Sequence, residues 1–465
     1  MTMNLIIIIF GFILLPAFLL LKKDNSAFIN YMVFFPMFDM NLLTGNVFSD
    51  IDEYIYHKAI LGNLLGGFGL DLNGARLIIW VFWLIIYLLV NHYSSSKEKI
   101  FAKNLMIYLI FLTWAAITLT FPTADFNFGS RFLLKLVYPI LFFIIFLNHC
   151  DFEKLHVLLK SLSVVCFINV LFSIILIVYR GDLYNIAGTH LGARGFNLHP
   201  FPYGFMLCNC ISYKLFIEKY THGVSIMKVY IGVALLTIGV ILSLSRITWV
   251  LLLFIFLIYS KKKVLFLLTV IASVFIIALT FKLFNHSEIL ASRIGIDLIQ
   301  LIQHGEVEAI GEGYGTASGR TAMWLFTINT VLTKNPFFGL GLGGTEKYYL
   351  TTLNEFTLTH NEYVRIFSET GLIGLFLFLF FFYSFLSFFR ATTKDLKTYP
   401  DILIVYKYVV ACLCMLVLTF LTDNTLNNYF VIVLPFLSFA VFLKYYKDLQ
   451  NECLLLRQDY SIKYE

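Results

Sequence analysis

The chain has 465 residues, of which 59% are hydrophobic and only 13% charged, with a mean hydropathy of +0.83 and a formal net charge of +6. A soluble domain carries roughly a quarter charged residues, so this composition excludes a soluble globular enzyme and points to an all-α polytopic integral membrane protein. The positive balance does not point to nucleic acid, because the lysines fall in short clusters between apolar runs, where they act as an orientation signal; the expected surrounding is the lipid bilayer.

Apolar runs near bilayer-spanning length are predicted at Asn4–Leu21, Phe28–Leu43, Arg76–Val90, Asn104–Phe121, Phe132–Leu147, Val157–Tyr179, Phe201–Phe216, Val229–Leu244, Ile247–Tyr259, Val264–Leu283, Phe367–Phe389, Ile404–Leu421 and Tyr429–Tyr445. The first lacks a preceding basic residue and a small-residue cleavage site, and reads as a retained helix, not a signal peptide. Pro36 and Asp39 interrupt the second. The eighth and ninth are short and separated only by Ser243–Arg246, which suggests a broken pair. The total is 12 or 13 transmembrane helices, depending on the side of the N-terminus.

Lysine clusters at 97/99/103, 219/228, 261–263, 394/397/407 and 444/447 are expected on the inner side. The segments 46–75, 122–131, 180–200, 284–366 and 422–428 then face outward. The chain accordingly divides into transmembrane helices with short loops over 1–283, one long outward loop with helical segments over 284–366, C-terminal transmembrane helices over 367–446, and an inner tail over 447–465. Within the long loop, Ser318 is a plausible N-cap for a helix over Arg320–Leu332, Pro336 and the glycines 339, 341, 343 and 344 force a turn, and a further helix begins near His360. The 7 cysteines include the pairs Cys208/Cys210 and Cys412/Cys414, which lie inside apolar runs and read as small buried hydrophobes, not metal ligands.

The two basic residue types segregate. Arg76, Arg131, Arg180, Arg194, Arg246, Arg293, Arg320 and Arg365 fall on or near the outward side, while most lysines fall inward. Guanidinium is planar, always charged and matches phosphate with two parallel donors, so an outward arginine cluster suits a lipid-linked pyrophosphate; arginines that merely reach to headgroups are the plainer alternative. Arg246 stands apart, because a charge between two apolar runs is costly unless paired or facing a wet cavity, and the neighbouring serines can satisfy backbone groups where the helix breaks.

Several motifs occur together in order: Ser243-x-Ser245-Arg246, then Ser318-Gly-Arg320 with Trp324, Asn335-Pro336-Phe-Phe-Gly339-Leu-Gly341-Leu-Gly343, His360-Asn361-Glu-Tyr363, and Glu369-Thr-Gly371-Leu-Ile-Gly374. This series resembles the C-terminal signature of the O-antigen ligase/polymerase superfamily, bacterial enzymes of surface-polysaccharide assembly, and most resembles an O-antigen polymerase. Arg194-Gly195-Phe196-Asn197 is similar to the family's upstream outward arginine element, although Asn-Leu-His-Pro stands here where relatives often have Pro-Asn. The resemblance implies a metal-independent glycosyltransferase of the GT-C type, with its active site facing the periplasm and a donor glycan on undecaprenyl pyrophosphate. It implies no cofactor and no metal site.

The resemblance carries catalytic roles to Arg194, Arg246 and His360: arginines stabilise the departing pyrophosphate, and an imidazole suits a general base at neutral pH. Arg320 and Arg365 are candidate further contacts to substrate, with Arg131 also in the binding set. Asn361 and Tyr363 either bind sugar hydroxyls or serve the helix start, and Glu369 either orients site groups or caps helix packing. The glycines do not form a P-loop, since no Gly-Lys-Ser/Thr follows.

The expected function is polymerisation of lipid-linked repeat units into O-antigen or a related polysaccharide at the bacterial inner membrane. A chain-length regulator is an expected partner. The alternatives are an O-antigen ligase transferring glycan to lipid A–core, and a transporter or flippase for an anionic lipid-linked glycan. The last predicts inverted repeats with paired broken helices, and the sequence offers one break only.

Overall fold

The computed structural model describes residues 14–23, 26–34, 72–90, 103–180, 185–186, 190–191, 200–220, 224–259, 317–353, 359–396, 399–421, 425–427 and 429–462. The described residues are helical almost throughout. The helices are α1 (Leu15–Leu21), α2 (26–34), α3 (Leu72–Val90), α4 (Lys103–Thr118), α5 (Phe126–His149), α6 (Phe152–Arg180), α7 (Pro200–Phe216), α8 (Ile226–Leu242), α9 (Arg246–Tyr259), α10 (Ala317–Lys334), α11 (Gly344–Leu353), α12 (Glu362–Leu396), α13 (Pro400–Thr419) and α14 (Tyr429–Ile462). A two-residue antiparallel pairing of Asn185–Ile186 with His190–Leu191 sits between α6 and α7.

Among the described residues, four helices are long and apolar enough to cross a membrane: Phe126–His149, Phe152–Ile175, Glu362–Thr392 and Ile402–Thr419. Shorter apolar helices cover Ile78–Leu89, Leu105–Thr118, Ile226–Leu242 and Arg246–Tyr259. The protein is therefore an all-α polytopic membrane protein. Every predicted span overlaps a helix except Val264–Leu283, which lies outside the described residues. Helix α12 begins at Glu362, near His360 as expected, where Asn361 caps it. One boundary differs from expectation: α14 runs on to Ile462, through the segment read as a tail.

Packing in α7 departs from a lipid-facing pattern. Every residue from Phe201 to Phe216 is buried, so this helix is enclosed by α6, α8, α9 and α13. A helix buried on all sides suits a membrane core. By contrast, α12 exposes Phe376, Leu379, Phe380, Tyr383 and Leu386 in a line, the pattern of a helix facing hydrocarbon. Cys166, Cys208, Cys210 and Cys412 are buried and free, as expected of small hydrophobes.

Side-chain contacts fix the helix directions. Lys444 Nζ, near the middle of α14, donates to Cys150 O just past α5 at 3.3 Å. At the other end, Leu426 N, ahead of α14, donates to the Glu362 carboxylate at 2.7 Å, and Asp125 N, ahead of α5, donates to Leu342 O at 3.1 Å. Helices α5, α12 and α14 thus start together. Helices α4 and α13 run against them: Trp114 Nε1 donates to Thr370 O at 2.9 Å, Tyr363 OH to Val417 O at 3.0 Å, and Tyr406 OH to Phe389 O at 3.3 Å. Helix α3 runs with α5, since the Tyr87 and His149 rings meet edge to face near their C-termini.

The remaining helices follow the same logic. Phe152 at the start of α6 stacks on Tyr445 of α14, Tyr213 OH late in α7 meets His156 Nδ1 early in α6 at 3.2 Å, and Ser173 late in α6 donates to Tyr203 OH early in α7 at 3.2 Å. A Cβ on Gly239, late in α8, would meet Leu207 and Tyr203 of α7. Cys208 Sγ of α7 lies 3.5 Å from Thr248 O, early in α9. So α7 and α9 start, and α6 and α8 end, at the end of the bundle where α5 and α12 start.

The arginine segregation becomes a property of two ends. Arg131, Arg246 and Arg365, together with the backbone positions of Arg76, Arg180 and Arg320, lie at one end; Lys154, Lys219, Lys228, Lys407, Lys444 and Lys447, with Arg390, lie at the other. These are called below the arginine end and the lysine end.

Candidate functional site

The break before Arg246 is built locally. The chain leaves α8 at Ser243, and Leu244 takes φ 52°, in the left-handed region that a branched-at-γ side chain rarely occupies. Ser243 Oγ donates to Val240 O at 2.7 Å, accepts from Ser245 N at 3.3 Å and faces Thr248 Oγ1 at 3.1 Å. Thr248 Oγ1 donates to Ser245 O at 2.8 Å, and Trp249 Nε1 reaches Val240 O at 3.3 Å. These bonds satisfy the carbonyls and amides freed by the break, as membrane burial requires. Arg246 is the first residue of α9 and is half-buried. A helix N-terminus already carries positive potential, so a guanidinium there adds like charge to like. The arrangement attracts an anion.

The approach to His360 is held from outside. His360 has φ 49° and is half-buried. Trp324 Nε1 of α10 donates to Thr359 O, on one side of it. On the other side, Asn361 Nδ2 donates to Leu421 O at 3.0 Å and Glu362 N to Phe420 O at 2.8 Å. Asn361 Oδ1 also accepts from Tyr363 N at 3.0 Å and Val364 N at 3.1 Å, the geometry of an N-cap. The two expectations left open for Asn361 and Tyr363 therefore meet a structural use: Asn361 is buried and caps α12, and the Tyr363 hydroxyl is spent on Val417 O.

Below His360 the glycine run is knotted into α12. Gly339, Gly341 and Gly343 take φ of 75°, 81° and 73°, and Gly371, inside α12, takes φ 68°. Leu340 N donates to Ser368 O at 2.7 Å and Leu372 N to Pro336 O at 2.9 Å. A Cβ on Gly339 would lie 2.6 Å from Gly371 N, and one on Gly343 2.6 Å from Gly129 N of α5. The turn wedges between α5 and α12 only because glycine carries no Cβ.

Arg365 and Glu369 sit inside this knot. Arg365 Nε donates to Glu369 Oε1 at 3.1 Å, its Nη2 pairs with Glu346 Oε1, and its guanidinium lies 3.7 Å from the Phe132 ring centroid. Glu369 Oε2 also accepts from Gly343 N at 3.3 Å. Arg365 is 4% exposed and Glu369 0%. Both are committed to a buried ion cluster that ties α11, α12 and the glycine turn together, and Glu369 orients neighbouring backbone while it does so.

Of the other candidates, Arg131 lies one turn into α5 with its guanidinium 5.9 Å from the Phe128 ring centroid. Arg320 falls in the first turn of α10, which starts at Ala317, so Ser318 stands inside the helix. Arg194 lies outside the described residues. Among the described residues no three His, Cys, Asp or Glu side chains gather as a metal site.

Sequence reading missed Glu346, Asp125 and Trp114. Asp125 caps α5 through Asn127 N and Phe128 N; an Asp just ahead of an apolar run was available as a signal. Glu346 pairs with a residue 19 positions away, and no local spacing announces it. The Arg365–Glu369 half of the cluster is an i,i+4 pair and was readable.

The family model described as O-antigen ligase matches residues 231–379, a segment that contains the break at 243–245, Arg246, the glycine turn, His360 and the buried ion cluster. No curated protein matches the chain. Over 231–379 the chain is thus similar to the O-antigen ligase family, whose members are glycosyltransferase-like membrane enzymes of surface-polysaccharide assembly.

Proposed function

We propose that this protein is an O-antigen-type polymerase, which joins undecaprenyl-pyrophosphate-linked repeat units at the periplasmic face of the bacterial inner membrane. The observation that carries the reading is the shared placement of two left-handed, non-glycine residues: Leu244, two residues before Arg246, and His360 itself, both at the arginine end. Backbone strain of this kind costs roughly 1–3 kcal/mol per residue and concentrates at functional sites.

In the proposed reaction the acceptor hydroxyl oxygen bonds to the anomeric carbon of the donor as the bond from that carbon to the pyrophosphate oxygen breaks. His360 takes the hydroxyl proton. Arg246 and Arg194, with Arg320 and Arg131 as further contacts, neutralise the charge that accumulates on the pyrophosphate. The step uses a GT-C-type, metal-independent mechanism. A chain-length regulator is the expected partner of such an enzyme.

The family's description favours a ligase as the second reading; the high aromatic content, with 50 Phe and 27 Tyr, suits recognition of strain-specific repeats and favours the polymerase. Complementation of a deletion strain with His360→Asn at equal membrane abundance tests both, because Asn tolerates the left-handed backbone. A surface ladder reduced to core plus one repeat unit is the polymerase result. Long lipid-linked chains that never reach lipid A–core make the protein a ligase. An unchanged ladder removes His360 from the chemistry and revives the transporter.

A further inference from the structure

We propose that the lysine end carries a binding site for the phosphodiester headgroup of an anionic phospholipid, formed by Lys219, Tyr230 and Tyr259. The one-turn 3₁₀ helix Glu218–Tyr220 follows α7 and carries Lys219 to where α8 begins and α9 ends. Lys219 Nζ donates to Tyr259 OH and, at 3.1 Å, to Tyr230 OH; the two hydroxyls are 3.1 Å apart. The ammonium also lies 5.1 Å and 5.4 Å from the centroids of these rings.

A donor count shows what is missing. An ammonium has three N–H donors and two phenols supply two O–H donors. Three of these five are used within the trio: two from Lys219 and one between the tyrosines. Among the described residues one N–H and one O–H remain, beside a positive charge. The adjacent carboxylate does not neutralise it, because Glu218 is paired with Lys214 at 2.6 Å. Two adjacent donors and one charge fit the two non-bridging oxygens of a phosphodiester.

The surroundings favour a lipid over a dissolved anion. Tyr220, Ile226, Met227, Ile231 and Leu257 are exposed around the trio, which gives acyl chains an apolar surface. Lys228 stands at the start of α8, and Lys261–Lys263 follow Tyr259 in the sequence. Basic residues between membrane helices at such a boundary attract anionic headgroups by about 1 kcal/mol each. The inference does not depend on the polymerase reading.

Purified full-length protein in detergent, titrated with dioleoyl phosphatidylglycerol, dioleoyl phosphatidylcholine or sodium phosphate and followed by native mass spectrometry, tests it. Wild-type protein should retain phosphatidylglycerol about fivefold better than phosphatidylcholine. Lys219→Gln should abolish that preference. Tyr230→Phe/Tyr259→Phe, which keeps the charge and removes the hydroxyls, should abolish most of it. A preference unchanged in both variants overturns the site, and so does one lost only in Lys219→Gln, since that is bulk attraction. Displacement of phosphatidylglycerol by millimolar sodium phosphate also overturns it, in favour of a soluble anion.

Discussion

Helices α9 and α12 begin alike and are secured differently. Each follows a left-handed non-glycine residue, Leu244 or His360, and each starts at the arginine end. The start of α9 is held by its own neighbours: Ser243, Ser245, Thr248 and Trp249 bond within a ten-residue window. The start of α12 is held by residues 35 and 60 positions away, Trp324 and Leu421. A locally secured helix start survives as long as its own motif does. A remotely secured one inherits the rigidity of the whole cap, so the position of His360 depends on α10, α13 and the glycine turn together.

The largest expected difference between the two starts is chemical. His360→Asn keeps the left-handed backbone and removes the proposed base, so glycan polymerisation by purified enzyme should fall 10²–10⁴-fold with the melting temperature unchanged. Loss of activity accompanied by unfolding would instead make His360 a structural residue.

Next comes the cluster beneath it. Arg365→Met leaves Glu346 and Glu369 buried with no cation between them, a change that costs roughly 3–5 kcal/mol. The expected result is a lower thermal midpoint and reduced abundance. The triple variant Arg365→Met/Glu346→Gln/Glu369→Gln removes the charges together and should recover most of the stability. If it does not, the cluster contributes geometry that charge balance alone cannot supply. Arg246→Lys is expected to be smaller: the charge stays, the paired donors go, and turnover should fall on the order of 10²-fold. Near-normal turnover would remove the phosphate clamp from the mechanism.

How much of this was readable follows from how each piece is held. The helices were legible because membrane burial forces long apolar runs, and the break at Ser243–Ser245 was legible because its hydrogen bonds close within the motif. The role of Gly339 and Gly371 was half-legible. Glycines announce a turn, but nothing in the sequence says that Gly339 needs no Cβ because Gly371 N lies where it would point. Glu346 was illegible, since its partner is set by the path of the turn and not by any spacing. Arg365 looked like a substrate contact because an arginine beside a motif histidine is chemically suited to phosphate; only the packing of Phe132 and Glu346 against that guanidinium shows where its charge is spent.

The smallest expected effect is the most direct test of local against remote security. Ser243→Ala removes one hydroxyl that bonds Val240 O and Ser245 N. A buried hydrogen-bonding group of this kind contributes about 1 kcal/mol. Asn361→Ala removes a cap worth about 1 kcal/mol and also the bond to Leu421 O. If security at α9 is local, Ser243→Ala should lower turnover through Arg246 while hydrogen exchange changes only near 240–249. If security at α12 is remote, Asn361→Ala should raise exchange at Phe420 and Leu421 as well as at Tyr363 and Val364. Exchange confined to α12 in the second variant would mean that its start, too, is secured by its own residues, and the distinction between the two helices would fall.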